Sequence, residues 1–193
     1  MNEIWVVRHG ETEWSLSGQH TGSTDIPLTD HGREEAAAIG RYLACRPFAL
    51  VLVSPLGRAR ESCRIAGYDA VAQVDPDLRE WGYGRYEGRT TAQIREERPG
   101  WSLWDDGTDG GETADEVAAR ARRVIARVDS ADGDVLLFAH GHVLRILAAC
   151  WLGLPSTAGR LFALGTASFG VLGHERESRV MSRWNLPAGE GPI

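Results

Sequence analysis

Lysine is absent from this chain of 193 residues: all 21 basic side chains are arginines. That absence removes Walker-type phosphate loops, Schiff-base chemistry, pyridoxal phosphate attachment and lysine general bases in one step. What remains is the guanidinium, whose planar fork holds phosphate oxygens two at a time. Cysteine is scarce as well. Cys45, Cys63 and Cys150 are widely spaced, odd in number and set in apolar or helical surroundings, so they read as reduced core thiols. No apolar run approaches the length of a membrane span, and the start carries no secretory signal pattern. The expectation is a soluble, cytoplasmic protein with no membrane partner. A net charge of −6 gives no general attraction to nucleic acid.

Repeats, low-complexity tracts and long linkers are also missing. With 42% hydrophobic residues, the chain is expected to fold as a single domain over residues 1–193. Ile4–Val7 reads as a buried strand, and residues 15–27, rich in Gly, Ser and Thr, as a loop. Thr29 is placed to cap a helix running from about Arg33 to Cys45, with Ala36, Ile39 and Leu43 at helical spacing. Leu50–Val53 and Val71–Val74 read as strands on either side of a helix at Arg58–Ala66. An irregular, aromatic-rich, lid-like insertion spans about 77–111, with a short helix at Thr91–Arg98. A long helix at Thr113–Val128, the apolar strand Val135–Ala139 and a helix at His142–Leu152 follow. Leu161–Leu164, Gly170–Gly173 and Val180–Arg183 read as closing strands, and the glycine- and proline-containing tail 187–193 as mobile. Strands alternating with helices imply an α/β fold: three layers, α-β-α, around a mostly parallel central sheet.

Four separate pieces of the sequence then fall at comparable places. Arg8-His9-Gly10 ends the first strand, and Ser54-Pro55-Leu56-Gly57-Arg58 ends the second and opens a helix. Leu78-Arg79-Glu80 lies in the irregular segment, and His140-Gly141-His142 ends the apolar strand and opens another helix. Ligands of open α/β sheets bind at strand carboxyl ends, so the fold is able to gather these pieces in one crevice. A cation beside an imidazole at that spot suits the holding of a phosphoryl group while a ring nitrogen attacks it. The pair His140 and His142 also suggests zinc, but an i, i+2 pair needs a third ligand and no H-E-x-x-H or C-x-x-C run supplies one. His20, His31 and His174 read as loop or surface residues, with His20 also a candidate for touching substrate.

Together with Arg8-His9-Gly10-Glu11-Thr12-Glu13-Trp14, Thr21-Gly22 and Leu28-Thr29-Asp30-His31-Gly32, these pieces make the chain resemble the histidine phosphatase (phosphoglycerate mutase-like) superfamily along nearly its whole length. The resemblance implies a phosphohistidine on His9, whose neutral ring needs one nitrogen proton fixed by an acceptor such as a backbone carbonyl. It implies Arg8 and Arg58 as clamps on the phosphoryl oxygens, and His140, if protonated, as a third donor, with amides at the start of its helix adding the positive end of a dipole. Glu80 is implied as proton donor to the leaving alkoxide, with a raised pKa supplied by enclosure between Trp81 and Tyr83. Asp75, Asp77, Glu87, Glu11 and Glu13 are the competing carboxylates for that role. Substrate contacts carried over by position are Ser15, Thr21, Gly22, Tyr83, Gly141 and His142. Arg85 is an added candidate for holding a second phosphate or a carboxylate. No metal or other cofactor is expected.

The superfamily contains mutases, which return the phosphoryl group to a sugar acid, and phosphatases, which give it to water. Water is favoured here. The stretch after Glu80 leaves little room for the basic insertion of the mutases, Ser15 stands where their pattern has asparagine, and Gln19 where it has arginine. Glu80-Trp81-Gly82-Tyr83-Gly84-Arg85-Tyr86-Glu87-Gly88 resembles the small sugar-phosphatase and acid-phosphatase branch. The expected activity is hydrolysis of a small phosphorylated metabolite, with a phosphoglycerate mutase as the alternative and a silent phospho-ligand binding module behind it. A symmetric homodimer is the default assembly for a small enzyme of this kind.

Overall fold

A computed structural model of the chain describes residues 2–44 and 46–188. Cys45 and residues 189–193, which hold most of the tail expected to be mobile, lie outside the described residues. Six strands form one sheet in the order β3 (Ala72–Val74), β2 (Leu50–Val53), β4 (Val135–Ala139), β1 (Ile4–Arg8), β5 (Ser168–Glu175) and β6 (Ser178–Pro187). The first four run parallel to one another, and β5 and β6 are antiparallel to their neighbours. The mostly parallel α/β sheet read from the sequence is therefore present.

Alternation along the strands divides the core in two, because successive side chains of a strand point to opposite faces. Ile4 and Val6 of β1 join Leu137 of β4 on one face, under α6 (Ala114–Asp129) and α7 (Gly141–Trp151). Trp5 and Val7 join Val53 and Phe138 on the other, under α2 (Asp30–Leu43) and α3 (Gly57–Ile65). The chain between β3 and α6 packs into the first of these clusters through Trp81, Tyr83, Tyr86, Ile94 and Trp101, all buried. It carries α4 (Thr91–Glu97) and α5 (Leu103–Asp106) and forms a wall beside α7.

Register places the chemistry. Arg8 pairs with Ala139 and Val53 with Phe138, so β1, β2 and β4 end at nearly one level. Just beyond it stand His9, Ser54 and His140, knit by bonds from His9 N to Ala139 O (3.0 Å) and from Ser54 N to Phe138 O (2.9 Å).

Several elements differ from the sequence reading. Within 15–27 the chain begins in a helix, α1 (Glu13–Ser17), because the Thr12 and Ser15 side chains cap each other's backbone amides in a reciprocal box. Thr29 caps α2 through Gly32 N at 3.0 Å, but the helix starts at Asp30, earlier than its apolar spacing suggests. Leu161–Leu164 is not a strand. A 3-10 turn spans Ser156–Leu161, and the chain after it is extended without pairing, its Leu164 carbonyl turned to Arg8 instead. Cys63 is buried and its thiol is pushed up to about 12 by burial, and Cys150 is half-buried and unpaired.

Candidate active site

A cavity of about 250 Å³ opens at the carboxyl end of β1. Arg8, His9, Glu80, Gly141 and Leu164 line its floor, with Ser15, Thr21, Tyr83 and His142 above them. Of the expected residues, Arg58, His140 and Gly22 are not on its wall. His140 packs against the His9 ring, and Arg58 links His140 to Gly22 O.

His9 is buried, and its Nδ1 lies 2.7 Å from the carbonyl of Gly10, the acceptor that a nucleophilic imidazole requires. A carbonyl only accepts, so the ring proton sits on Nδ1 and Nε2 keeps its lone pair. Burial pushes the ring well below its ordinary pKa, assisted by the charges of Arg8 and Arg58 and opposed by the Gly10 carbonyl. The ring is neutral at physiological pH. The acceptor itself is fixed by backbone contact: a Cβ on Gly10 would lie 2.2 Å from the carbonyl oxygen of Gly32, and one on Gly32 would lie 2.2 Å from that of Glu11. Only glycine at both positions lets the β1 end and the α2 start run this closely.

Arg8 donates from Nη1 to Leu164 O at 2.6 Å, while its Nε is buried and has no partner among the described residues. Its cation also stands 3.4 Å from where a Cβ on Gly141 would lie. Burial lowers its pKa, opposed first by the charge of Glu80. An unpartnered buried donor on a cation is costly unless a ligand oxygen takes it.

Arg58 is differently placed. Nε donates to His140 Nδ1 (3.2 Å), Nη1 to Thr24 O (3.0 Å), and Nη2 to Thr21 O (3.1 Å) and Gly22 O (2.9 Å). Asp25, whose carboxylate also receives Gly57 N, stands 3.7 Å away. The guanidinium is thus taken up in holding the 21–24 turn against His140.

The role of third donor requires a protonated His140, and the ring is neutral. Its Nδ1 accepts from Arg58, so its proton is on Nε2 and is directed at Ser54 Oγ, 2.7 Å away. Burial, then the charges of Arg58 and His9, push its pKa well below the usual value. His140 packs edge-on against His9 with ring centroids 5.1 Å apart and has no proton free for a third donor. Two of the expected helix amides are also engaged: those of His142 and Val143 donate to Glu80 Oε2 (3.0 Å) and Oε1 (2.9 Å). With Trp81 N also on Oε1 (2.9 Å), three backbone donors orient this buried carboxylate.

Its main chain is clamped too. Arg120, fully buried, donates to the carbonyls of Asp77 (2.8 Å), Arg79 and Glu80 (3.1 Å), and to both oxygens of Glu112 (3.0 and 3.1 Å). Of the competing carboxylates, Asp75 pairs with Arg127, Asp77 with Arg123, and Glu87 holds Thr24 N; Glu11 accepts from Thr29. None of these four, nor Glu13, lines the cavity.

The upper wall is aromatic and neutral. Tyr83 OH is 2.7 Å from His142 Nδ1, and the Tyr83 ring lies 4.8 Å from that of His20. Burial lowers the His20 pKa to about 4 and pushes that of His142 well below normal. Burial raises the Tyr83 hydroxyl well above its usual value. Ser15 lines the cavity, although its hydroxyl is bound to the backbone of Thr12 at 2.8 Å. Arg85 lies outside, exposed and paired with Asp109 at 2.9 Å, so it does not hold a second anion here.

Gly18, Gln19, Thr91, Leu164 and Arg145 line the cavity without having been singled out by sequence as ligand contacts. The last had a usable signal, since four residues after Gly141 on one helix puts both on the same face. His20, read as a loop residue and a candidate for touching substrate, also lines the cavity. Among the described residues, no group of three His, Cys, Asp or Glu is disposed to hold a metal ion, and no helix is long and apolar enough to cross a membrane.

A nucleophile-ready histidine between an unsatisfied arginine and an oriented carboxylate is the arrangement expected from the motif order. Residues 4–187 match the family model of the histidine phosphatase superfamily, branch 1. The chain belongs to this superfamily. It is 38% identical to an acid phosphatase of Mycobacterium tuberculosis over all of this chain and 96% of that protein. It is also 38% identical to sedoheptulose 1,7-bisphosphatase of Saccharomyces cerevisiae, over 77% of this chain and 67% of the relative. A solved mycobacterial glucosyl-3-phosphoglycerate phosphatase with bound VO3 superposes with a TM-score of 0.87 at 30% identity, covering 96% of this chain and 100% of that one.

Proposed function

We propose that this histidine phosphatase hydrolyses a small phosphorylated metabolite of the sugar-phosphate kind, through a phosphohistidine on His9 and without a metal. The observation that carries the reading is the pairing of a free Nε2 on neutral His9 with the unpartnered, buried Nε of Arg8 in one cavity. Phosphatase-named relatives over the full length support it.

In the first step the Nε2 lone pair forms the N–P bond as the P–O bond to the alkoxide breaks. The Gly10 carbonyl stabilises the positive charge that develops on the ring. Arg8 takes the phosphoryl oxygens, and Arg58 acts through the 21–24 turn and His140, which it holds behind the nucleophile. Glu80 is the general acid that passes a proton to the departing oxygen. In the second step Glu80 takes a proton from water as water attacks phosphorus, and the N–P electron pair returns to Nε2. Tyr83, His142, Ser15 and Thr21 contact the organic part of the substrate. Donors for a sugar acid that must rebind are few: the amide of Gln19 is already bound to Gly88 O at 2.7 Å. That favours release to water over a mutase cycle. A cytoplasmic setting and a symmetric dimer belong to this reading on composition alone.

The deciding experiment measures phosphate release from phosphoglycerates, sugar mono- and bisphosphates and p-nitrophenyl phosphate, with chelator present. Release is expected to persist with chelator and to fall at least about 10³-fold in His9→Ala, with loss of acid-labile incorporated phosphate. Interconversion of phosphoglycerates faster than phosphate release would establish a mutase instead.

A further inference from the structure

The carbonyl that steers His9 belongs to the Gly10–Glu11 peptide, and the other end of that peptide is an N–H. Glu11 N donates to Glu35 Oε2 at 2.8 Å, while Gly10 O accepts the His9 Nδ1 proton at 2.7 Å. A single peptide unit therefore joins the nucleophile to a carboxylate, with one hydrogen bond on each side. The peptide before it is held by neutral groups: Gly10 N donates to Ser62 Oγ (3.1 Å), and His9 O accepts from Ala167 N (3.0 Å). An anion meets the steering peptide and not its neighbour.

Glu35 is half-buried on α2 and does not line the cavity, so it is not placed to touch substrate. Its charge is not cancelled by a cation at close range. Among the described residues no arginine stands within ion-pair distance of it, and its one such neighbour is the exposed His31, at 3.7 Å. Asp30 and Glu61, by contrast, both take Arg33. The second oxygen of Glu35 accepts from Thr166 Oγ1 at 3.3 Å, next to the Ala167 amide that holds His9 O. The field of the carboxylate also reaches the cavity floor. Burial lowers the Arg8 pKa, and Glu35 opposes it after Glu80 and Tyr83.

Hydrogen bonds in series polarise one another, so an anion on the N–H end of a peptide makes its carbonyl a stronger acceptor. That matters most once His9 Nε2 has bonded to phosphorus, because the ring, still carrying its Nδ1 proton, is then a cation. We infer that Glu35 is a positioning residue: through the Gly10–Glu11 peptide it orients the carbonyl that holds His9 Nδ1–H and stabilises the charge the ring gains in the phosphoenzyme. The inference rests on the phosphohistidine reading and adds a residue to it.

The test is rapid-quench kinetics with p-nitrophenyl phosphate on native enzyme, Glu35→Gln and Glu35→Ala, following phosphoenzyme formation and breakdown separately. Glutamine keeps an acceptor oxygen for Glu11 N and removes the charge. It should slow formation about 10-fold and leave breakdown as fast or faster, because a less stabilised cationic ring is the better leaving group. Glu35→Ala, which also frees the carbonyl, should slow formation about 100-fold, with glutamine recovering part of that loss. Equal slowing of both steps in Glu35→Gln, or unchanged formation, overturns the inference. Lack of phosphoenzyme in the native protein is a failure of the phosphohistidine reading itself. The His9 Nδ1–H proton resonance, read without substrate, decides in that case too. An upfield move in Glu35→Gln supports the link through the peptide, and an unmoved resonance refutes it.

Discussion

The back and the front of this cavity are built from the same residue types to opposite standards. Behind His9, Arg58 and His140 are fully engaged: four bonds leave the guanidinium, and both ring nitrogens of His140 are taken. In front, Arg8 makes one bond and leaves a buried donor unmet, and His9 keeps one nitrogen open. Satisfied polar groups fix a structure, while unsatisfied ones in a concave site wait for a ligand. Under the proposed function, the contrast separates residues that shape the site from residues that touch the substrate, a distinction that residue identity alone does not make.

The sharpest way to break this comparison is to remove one arginine from each side. Arg58→Met strips donors from three carbonyls and from His140, at a cost of about 3–5 kcal/mol, typical for breaking a buried charged network. At about 2–4 °C per kcal/mol for a chain of this size, thermal unfolding should show a drop of about 10 °C together with lost turnover. Arg8→Met should abolish turnover equally, yet move the melting temperature by less than about 3 °C, since only the bond to Leu164 O is lost. Equal melting shifts for the two variants would erase the distinction.

A smaller effect tests Glu80, which is held like a back-wall residue but faces the cavity. Glu80→Gln should slow sugar phosphate hydrolysis about 10²-fold or more and p-nitrophenyl phosphate hydrolysis far less, because nitrophenolate leaves without a proton. A uniform loss would assign Glu80 to structure alone.

The smallest effect is expected from pH. The folded-state pKa values of His9, His140 and His142 lie well below normal, and that of His20 is about 4. The unfolded chain therefore binds more protons below about pH 6.5. Stability is complete above that value and is lost as pH falls, the His20 share between about 6.5 and 4. Melting temperature should decline from pH 7 to pH 5, and His20→Gln should flatten the decline. The same shift keeps His9 unprotonated in acid, so kcat/KM should show no fall that tracks an ordinary histidine pKa.

What the sequence made legible follows from where each signal resides. Strand-end motifs located Arg8, His9, Arg58 and His140 because β-branched runs mark strands and the fold aligns their ends. Their protonation and bonding were hidden, since they depend on which carbonyls the 21–24 turn offers to Arg58. Helix α1 was missed because its cap is a Thr–Ser pair inside a stretch of loop-like composition. The supposed strand at Leu161–Leu164 has strand-like composition but gives its carbonyl to Arg8, a long-range demand no local pattern records. Arg85 and Arg145 are alike as sequence features, and only tertiary placement separates them.

The contact between Gly10 and Gly32 gives the nucleophile an unexpected mount. Since these two peptide units touch with no room for a methyl group, the carbonyl that steers the His9 ring cannot tilt unless the 14-residue helix α2 tilts with it. The aim of the imidazole is inherited from a helix on the far side of the sheet, as a gunsight is set by its rail. One added methyl at position 32, well outside the cavity, is enough to misalign the shot.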